Sequence, residues 1–200
     1  MQKYKVIVFD LGGVLLDISG VEDILGWLDN KIELADFWYL WLHCPAVKQF
    51  ESGEITEVEF VKSVLSHFKL PIDYATFEQS YRYWIKGIFP GRLALLEQLK
   101  ADYQLACLTN TNLMHWPEIV ATGILNPLDK HYVSFEMGCV KPDREIYQKM
   151  LDDLNVPAEQ VLFIDDNQVN VDTAKALGID AYRTVGHQAL LDLFQQLKII

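Results

Sequence analysis

Two short segments, Lys5 to Asp10 (KVIVFD) and Val161 to Asp165 (VLFID), are apolar on successive residues and each halts on an aspartate. A strand with one wet face alternates apolar with polar, so unbroken apolar runs require burial on both faces, as in a parallel sheet covered by helices on either side. Further strands are expected at Tyr103 to Thr109 (YQLACLT), Tyr132 to Phe135 (YVSF) and Ile179 to Arg183 (IDAYR). Helical patterns separate them: Gly91 to Lys100, with Leu93, Leu96 and Leu99 in step, then Asp143 to Leu154, Val169 to Leu177 and Gln188 to Lys198. Such alternation predicts an α/β fold with a right-handed, doubly wound parallel sheet.

One stretch breaks the alternation. More than 90 residues part the first strand from the second, and Val21 to Lys86 read as several helices punctuated by Pro45, Ser52-Gly53 and Pro71, with Phe89-Pro90-Gly91 closing the stretch. Structureless loops beyond ~15 residues are uncommon in compact domains, which points to a small helical insertion. It is expected over the carboxyl end of the first strand, where open α/β sheets bind ligands. The expected division is a core of residues 1–16 and 88–200 with an inserted helical cap at 17–87.

Charge narrows the partners. Lys plus Arg number 17 against 28 Asp plus Glu, a net charge of −11. Nucleic acid and anionic membrane would be repelled on average. An anionic small molecule would need a local positive site, for which a bound divalent cation is the usual device. The densest apolar stretch, Phe37 to Cys44, is far short of the ~20 residues of a membrane span, and the first apolar run breaks at Asp10 before it could serve as a signal-peptide core. Cys44, Cys107 and Cys139 lie far apart with no CxxC, so neither disulfides nor zinc are expected. A soluble, cytoplasmic setting is expected, and nothing separates a monomer from a homodimer.

Four polar punctuations fall at strand ends or helix starts. Asp10-Leu11-Gly12-Gly13-Val14 presents a carboxylate in a loop whose glycines let the backbone approach a ligand, although these residues alone also read as a dinucleotide-binding turn, for which no GxGxxG follows, or as a plain strand-end cap. Asp165-Asp166-Asn167 places adjacent carboxylates at the mouth of a buried strand, where a hard cation such as Mg2+ would offset their repulsion; the alternative is a cap for the next helix. Asn170 would face back to that loop from the helix's first turn. Thr109-Asn110-Thr111-Asn112 offers a hydroxyl and free amides at the start of an expected helix. Lys141-Pro142-Asp143 opens another, with Pro142 at its first position.

In this order, Asp10 to Val14, Thr109-Asn110, Lys141-Pro142 and Asp165-Asp166 with Asn170, the four segments resemble the motifs of the haloacid dehalogenase (HAD) superfamily. Phe89-Pro90-Gly91 and Ser134-Phe135-Glu136-Met137-Gly138 look like its spacers, and the chain is most similar to the bacterial sugar-phosphatase branch that acts on α-glucose-1-phosphate. The resemblance implies a three-layer Rossmann-like core with a small helical cap after the first strand. It implies a phosphatase of small phosphorylated metabolites, sugar phosphates among them, in which Asp10 attacks phosphorus to form an aspartyl-phosphate that water cleaves. Mg2+ would be held by Asp10, the Gly12 carbonyl and Asp166, with Asp165 a ligand directly or through water. Thr109 and the Asn110 amide would bind a phosphoryl oxygen, and Lys141 would balance the charge on Asp10 and on the transferring group.

The departure lies at Gly12, where the family carries a second aspartate that moves protons. Asp17, His43 or metal-bound water are the candidates to replace it. Two alternatives follow: a 2-haloacid dehalogenase, against which the Asp165-Asp166 pair argues because that chemistry needs no metal, and a catalytically silent binding protein. The aromatic side chains of the insert, Trp27, Phe37, Trp38, Tyr39, Trp41, Tyr81, Tyr83 and Trp84, are expected to form the cap's own core rather than a sugar platform.

Overall fold

The computed structural model describes residues 3–19, 21–29 and 31–200. Met1 and Gln2 of the expected core and Gly20 and Asn30 of the expected insert lie outside them. Five strands, β1 (Val6–Phe9), β4 (Gln104–Thr109), β5 (Lys130–Val133), β6 (Val161–Asp165) and β7 (Asp180–Arg183), form one parallel sheet in the order β5-β4-β1-β6-β7. The period of two explains their unbroken apolar sequences. Ile7, Phe9, Leu105, Cys107, Leu162 and Ile164 point into one buried cluster, with Leu95, Leu96 and Leu99 of α6 (Arg92–Leu99) and Leu190 and Phe194 of α11 (His187–Gln196). Val6, Val8, Ala106, Leu108, Val161 and Phe163 point into the other, against α9 (Arg144–Leu154) and α10 (Gln168–Ala176). Both faces are therefore dry, each fully buried aliphatic side chain contributing about 1.5–3 kcal/mol.

Between β1 and β4 the chain leaves the sheet through β2 (Leu16–Asp17) and returns through β3 (Gly87–Ile88), which pair antiparallel as Leu16↔Ile88 and Asp17↔Gly87. The segment between them folds as α1 (Glu22–Trp27), α2 (Leu34–Leu42), α3 (Pro45–Glu51), α4 (Glu57–His67) and α5 (Tyr74–Arg82). Its starts are local: Thr56 and Glu59 make a reciprocal capping box on α4, and Asp73 caps α5 through the Thr76 amide at 2.9 Å. The aromatics separate by burial. Phe37, Trp41, Phe60, Phe77, Tyr81 and Trp84 pack a third hydrophobic cluster, while Tyr39 and Tyr83 are exposed.

Three expectations shift. The strand expected at Tyr132 to Phe135 begins at Lys130, and Ser134 and Phe135 instead start α8 (Ser134–Met137). An edge strand tolerates the half-buried Lys130 and exposed His131 that an apolar-run criterion discards. Pro142 lies before α9 rather than at its first position. The segment after Thr109 is a turn in which the Asn112 side chain accepts from the Met114 and His115 amides, so α7 starts only at Trp116 and ends at Thr122. Among the described residues, no helix is long and apolar enough to cross a membrane.

Candidate active site

Because β1 lies between β4 and β6 and the connections leave in opposite directions, a crevice opens at the carboxyl ends of these three strands. Asp10 follows β1, Thr109 ends β4 and Asp165 ends β6, so strand geometry alone brings distant segments to one edge. Lys141 reaches them from the loop before α9. Its Nζ lies 2.9 Å from Asp10 Oδ1 and 2.7 Å from Asp165 Oδ2, and its side chain is only 2% exposed. The loop is fastened to β4's end by Asn110, whose side chain donates to the Lys141 carbonyl at 2.9 Å and accepts from its amide at 2.8 Å.

Asp165 is fully occupied. Besides Lys141, it accepts from the Asn167 amide at 2.8 Å and from Asn170 Nδ2 at 3.0 and 3.1 Å. Asn167 also caps α10, accepting from the Val169 amide, so the capping and carboxylate readings of this segment hold together. Asp10 Oδ1 takes the Leu11 amide at 2.7 Å in addition to Lys141. One oxygen each of Asp10, Asp165 and Asp166 lie within 4.8 Å of one another. Gly13 sits at φ +71, and a Cβ there would come within 2.3 Å of Asp166 Oδ2. Only glycine leaves room for that carboxylate. Gly12 differs: a Cβ there would meet the flexible end of Ile18 at 3.3 Å.

Three carboxylates share one lysine. Burial, and then the like charges of Asp165 and Asp166, push Asp10 up to about 8 against the pull of Lys141. Burial and Asp165 raise Asp166 as well. Burial pulls the Lys141 pKa down, yet Asp10 and Asp165 beside it raise it above the ordinary lysine value. The cluster is short of positive charge, and its hard oxygen donors suit a divalent cation such as Mg2+.

Above this edge lies a cavity of about 90 Å³ between the sheet and the insert. Gly12, Thr109, Asn110 and Thr111 line its core side, and the Thr111 hydroxyl is buried without a protein partner among the described residues. Trp38, Trp41, Trp84, Tyr81 and Glu51 line the insert's side, with His115 beside them. Neither Asp17 nor His43 lines the cavity. The Asp17 carboxylate accepts the Ser19 amide, and His43 is exposed, its Nδ1 against the Tyr39 carbonyl.

Several contributors escape sequence reading. Glu51 reads as the end of a solvated helix, followed as it is by Ser52-Gly53-Glu54. Arg92 reads as a helix surface charge, yet it is buried, its Nε donating to the Val14 carbonyl at 2.8 Å and holding the loop that follows Asp10. Ser134 is fully buried and exchanges hydrogen bonds with the Thr111 backbone at 3.0 Å in each direction. The DLGGV spacing and the LTNTN segment at least mark the neighbourhoods of the last two.

A D-ribitol-5-phosphate phosphatase of Bacteroides thetaiotaomicron is 28% identical over 189 residues, spanning 90% of this chain and 91% of that protein. An (S)-2-haloacid dehalogenase of Pseudomonas putida is 25% identical over 194 residues, spanning 89% and 84%. Among solved structures, a HAD family enzyme of B. thetaiotaomicron in complex with magnesium and inorganic phosphate superposes with a TM-score of 0.73 at 26% identity, covering 92% of this chain and 96% of that one. Residues 4–178 match the haloacid dehalogenase-like hydrolase family, and with the motif residues gathered on one sheet edge, the chain belongs to that family.

Proposed function

We propose that the protein is a Mg2+-dependent phosphatase of small phosphorylated metabolites, sugar or polyol phosphates among them, with the helical insert of residues 17–87 as its cap. The observation that carries this reading is the charge imbalance at the sheet edge: three clustered carboxylates against one lysine. A cation there would neutralise both the cluster and an incoming phosphate, a service that carbon–halogen hydrolysis does not need. Mg2+, when bound, supplies charge neutralisation and alignment of the phosphoryl group. Asp10 and Asp166, with oxygens to spare, and the Gly12 carbonyl would hold the ion, while Asp165, saturated by its own hydrogen bonds, holds Lys141 and Asn170 in place and would contribute at most through water.

Asp10 then acts as the nucleophile, forming an aspartyl-phosphate that water cleaves. Lys141 favours the charged form of Asp10 and orients it, and offsets the charge on the transferred group. Thr109 and Asn110, with the free Thr111 hydroxyl beside them, are in position to donate to phosphoryl oxygens. The D-ribitol-5-phosphate phosphatase among the relatives supports a phosphate monoester, and α-glucose-1-phosphate is one candidate within that class. Three buried free cysteines accord with the cytoplasm. The test is phosphate release from p-nitrophenyl phosphate with Mg2+ and with EDTA: chelator-sensitive turnover is expected, and chelator-insensitive turnover or none would reject the reading.

A further inference from the structure

An alkoxide leaving phosphorus is strongly basic, and a proton delivered as the bond breaks is worth ~10²–10⁴ in rate. The strand-end groups cannot deliver it. Asp10 makes the new bond, Asp165 and Lys141 hold each other at 2.7 Å, Asp166 is given to the cation site, and Gly12 has no side chain. In an in-line displacement the leaving oxygen departs on the side opposite the nucleophile. Here the cavity onto which Gly12 and Thr109 of the sheet edge open has the insert as its far wall.

Three titratable groups line the cavity: Glu51 on α3, Tyr81 on α5 and His115 before α7. His115 is committed. Its Nε2 must donate to the Tyr81 carbonyl at 2.7 Å, since a carbonyl only accepts, and burial lowers its pKa to about 4. Burial, and Glu51 nearby, lift Tyr81 well above the ordinary tyrosine range, so it holds its proton too tightly. Glu51 is the one carboxyl on the cavity lining and, among the described residues, has no cation within ion-pair distance.

Its position is fixed from the core. Gly53, at φ +75, lets the turn after α3 press on the core: a Cβ there would come within 2.5 Å of the Phe135 carbonyl oxygen in α8. Lys48 of α3 pairs with Asp143 at 2.9 Å, two residues beyond Lys141. Ser52 is buried in the same turn, its hydroxyl donating to the Glu54 carboxylate at 2.9 Å with the Gln49 carbonyl 3.1 Å away. The end of α3 is thus clamped to the segment that carries the lysine.

Resting on the phosphatase reading above, we propose that Glu51 is the general acid of this enzyme, protonating the leaving oxygen from the cap. As the Asp10–phosphorus bond forms and the ester P–O bond breaks, the Glu51 proton passes to the departing oxygen and the alcohol leaves neutral. The Glu51 carboxylate then takes a proton from the water whose oxygen attacks the aspartyl-phosphate. Phosphate is released, Asp10 returns as carboxylate and Glu51 as acid. Burial pushes Glu51 up to about 7, against the pull of Lys141, which leaves a protonated fraction at neutral pH; Lys141, Tyr81 and His115 are the titratable groups that face it.

The experiment compares wild type with Glu51→Gln on two substrates under saturating Mg2+: ribitol 5-phosphate, whose leaving group needs the proton, and p-nitrophenyl phosphate, whose leaving group does not. The variant should lose on the order of 10²-fold in kcat/KM, which reports phosphoryl transfer and not the hydrolysis step both esters share, on the alkyl ester and less than tenfold on the aryl ester. Wild-type kcat/KM should also fall above pH ~7 for the alkyl ester only, a readout that needs no variant. Equal losses on both substrates, no loss on either, or the same alkaline limb for both would overturn Glu51 as the acid while leaving the phosphatase reading intact. A wild type that releases phosphate from neither ester would overturn both.

Discussion

The sheet edge and the helical insert are built from opposite materials. At the edge, ionisable groups are buried at strand ends, each side chain fixed by a backbone that extends through the core. The insert is an aromatic cluster, its Trp41 ring in contact with Phe37, Phe60, Phe68, Tyr81 and Trp84, and most of its charges stay at the surface. Buried charge needs rigid positioning to be tolerated, whereas an aromatic cluster can repack around what it covers. The division assigns reaction to the core and access to the insert, with Glu51 the exception that crosses the line.

The largest effect should come from the edge. Asp10→Asn should cost on the order of 10⁴-fold or more in turnover, as removal of a nucleophile does elsewhere, with the fold unchanged by circular dichroism. Residual turnover above a tenth of wild type, in protein free of deamidated Asn, would remove Asp10 from the role.

Next in size is the ion pairing. Lys141→Met leaves Asp10 and Asp165 buried without their cation and should cost about 3–5 kcal/mol in denaturant unfolding. Arg82→Met, which breaks half-exposed pairs with Glu57 and Glu78 on the insert, should cost about 0.2–1 kcal/mol. Equal costs would erase the contrast between the two regions.

Glycines sharpen it further. Gly13→Ala must place a Cβ against Asp166 from a left-handed backbone, so it should destabilise by roughly 1–3 kcal/mol and weaken the melting shift given by Mg2+. Gly26→Ala, inside α1 with nothing within 4 Å of the new methyl, should stabilise by about 0.4–1 kcal/mol. A stabilising Gly13→Ala would mean that Asp166 has room to spare.

A subtler signature lies in pH. Asp10 titrates near 8 when folded and near ~3.9 when unfolded, so the folded state holds the extra proton between those values. Stability of the metal-free protein should therefore fall as pH rises through that window, with Glu51 adding in the same direction between its unfolded value and about 7. Asp10→Asn should flatten the profile in thermal melts at fixed ionic strength. A metal-free wild type that gains stability from pH 5 to 8 would contradict the burial of this carboxyl.

Much of the core was legible because its signals are local. VIVF and VLFI announce two buried faces, and the aspartates that end them mark the edge where ligands bind. What stayed hidden depends on contacts between distant segments. The start of β5 at Lys130 is set by pairing with Ala106 rather than by apolarity. The two-residue ribbon of β2 and β3 exists only because the insert's ends meet, and Arg92 and Glu51 read as surface charges until the neighbours that bury them are in place. The spacing that identified Asp10, Thr109, Lys141 and Asp165 says nothing of Asp165's saturation by Asn167 and Asn170, which only three-dimensional geometry supplies.

In the proposed reaction the phosphoryl group passes through Asp10. Rapid acid quench of the protein turning over p-nitrophenyl phosphate with Mg2+, followed by peptide mass mapping, tests it directly. A phosphoryl group on the peptide that carries Asp10, absent in Asp10→Asn and in EDTA, is the predicted result. A phosphoryl group on another residue, or steady phosphate release with none trapped at any quench time, would contradict the account.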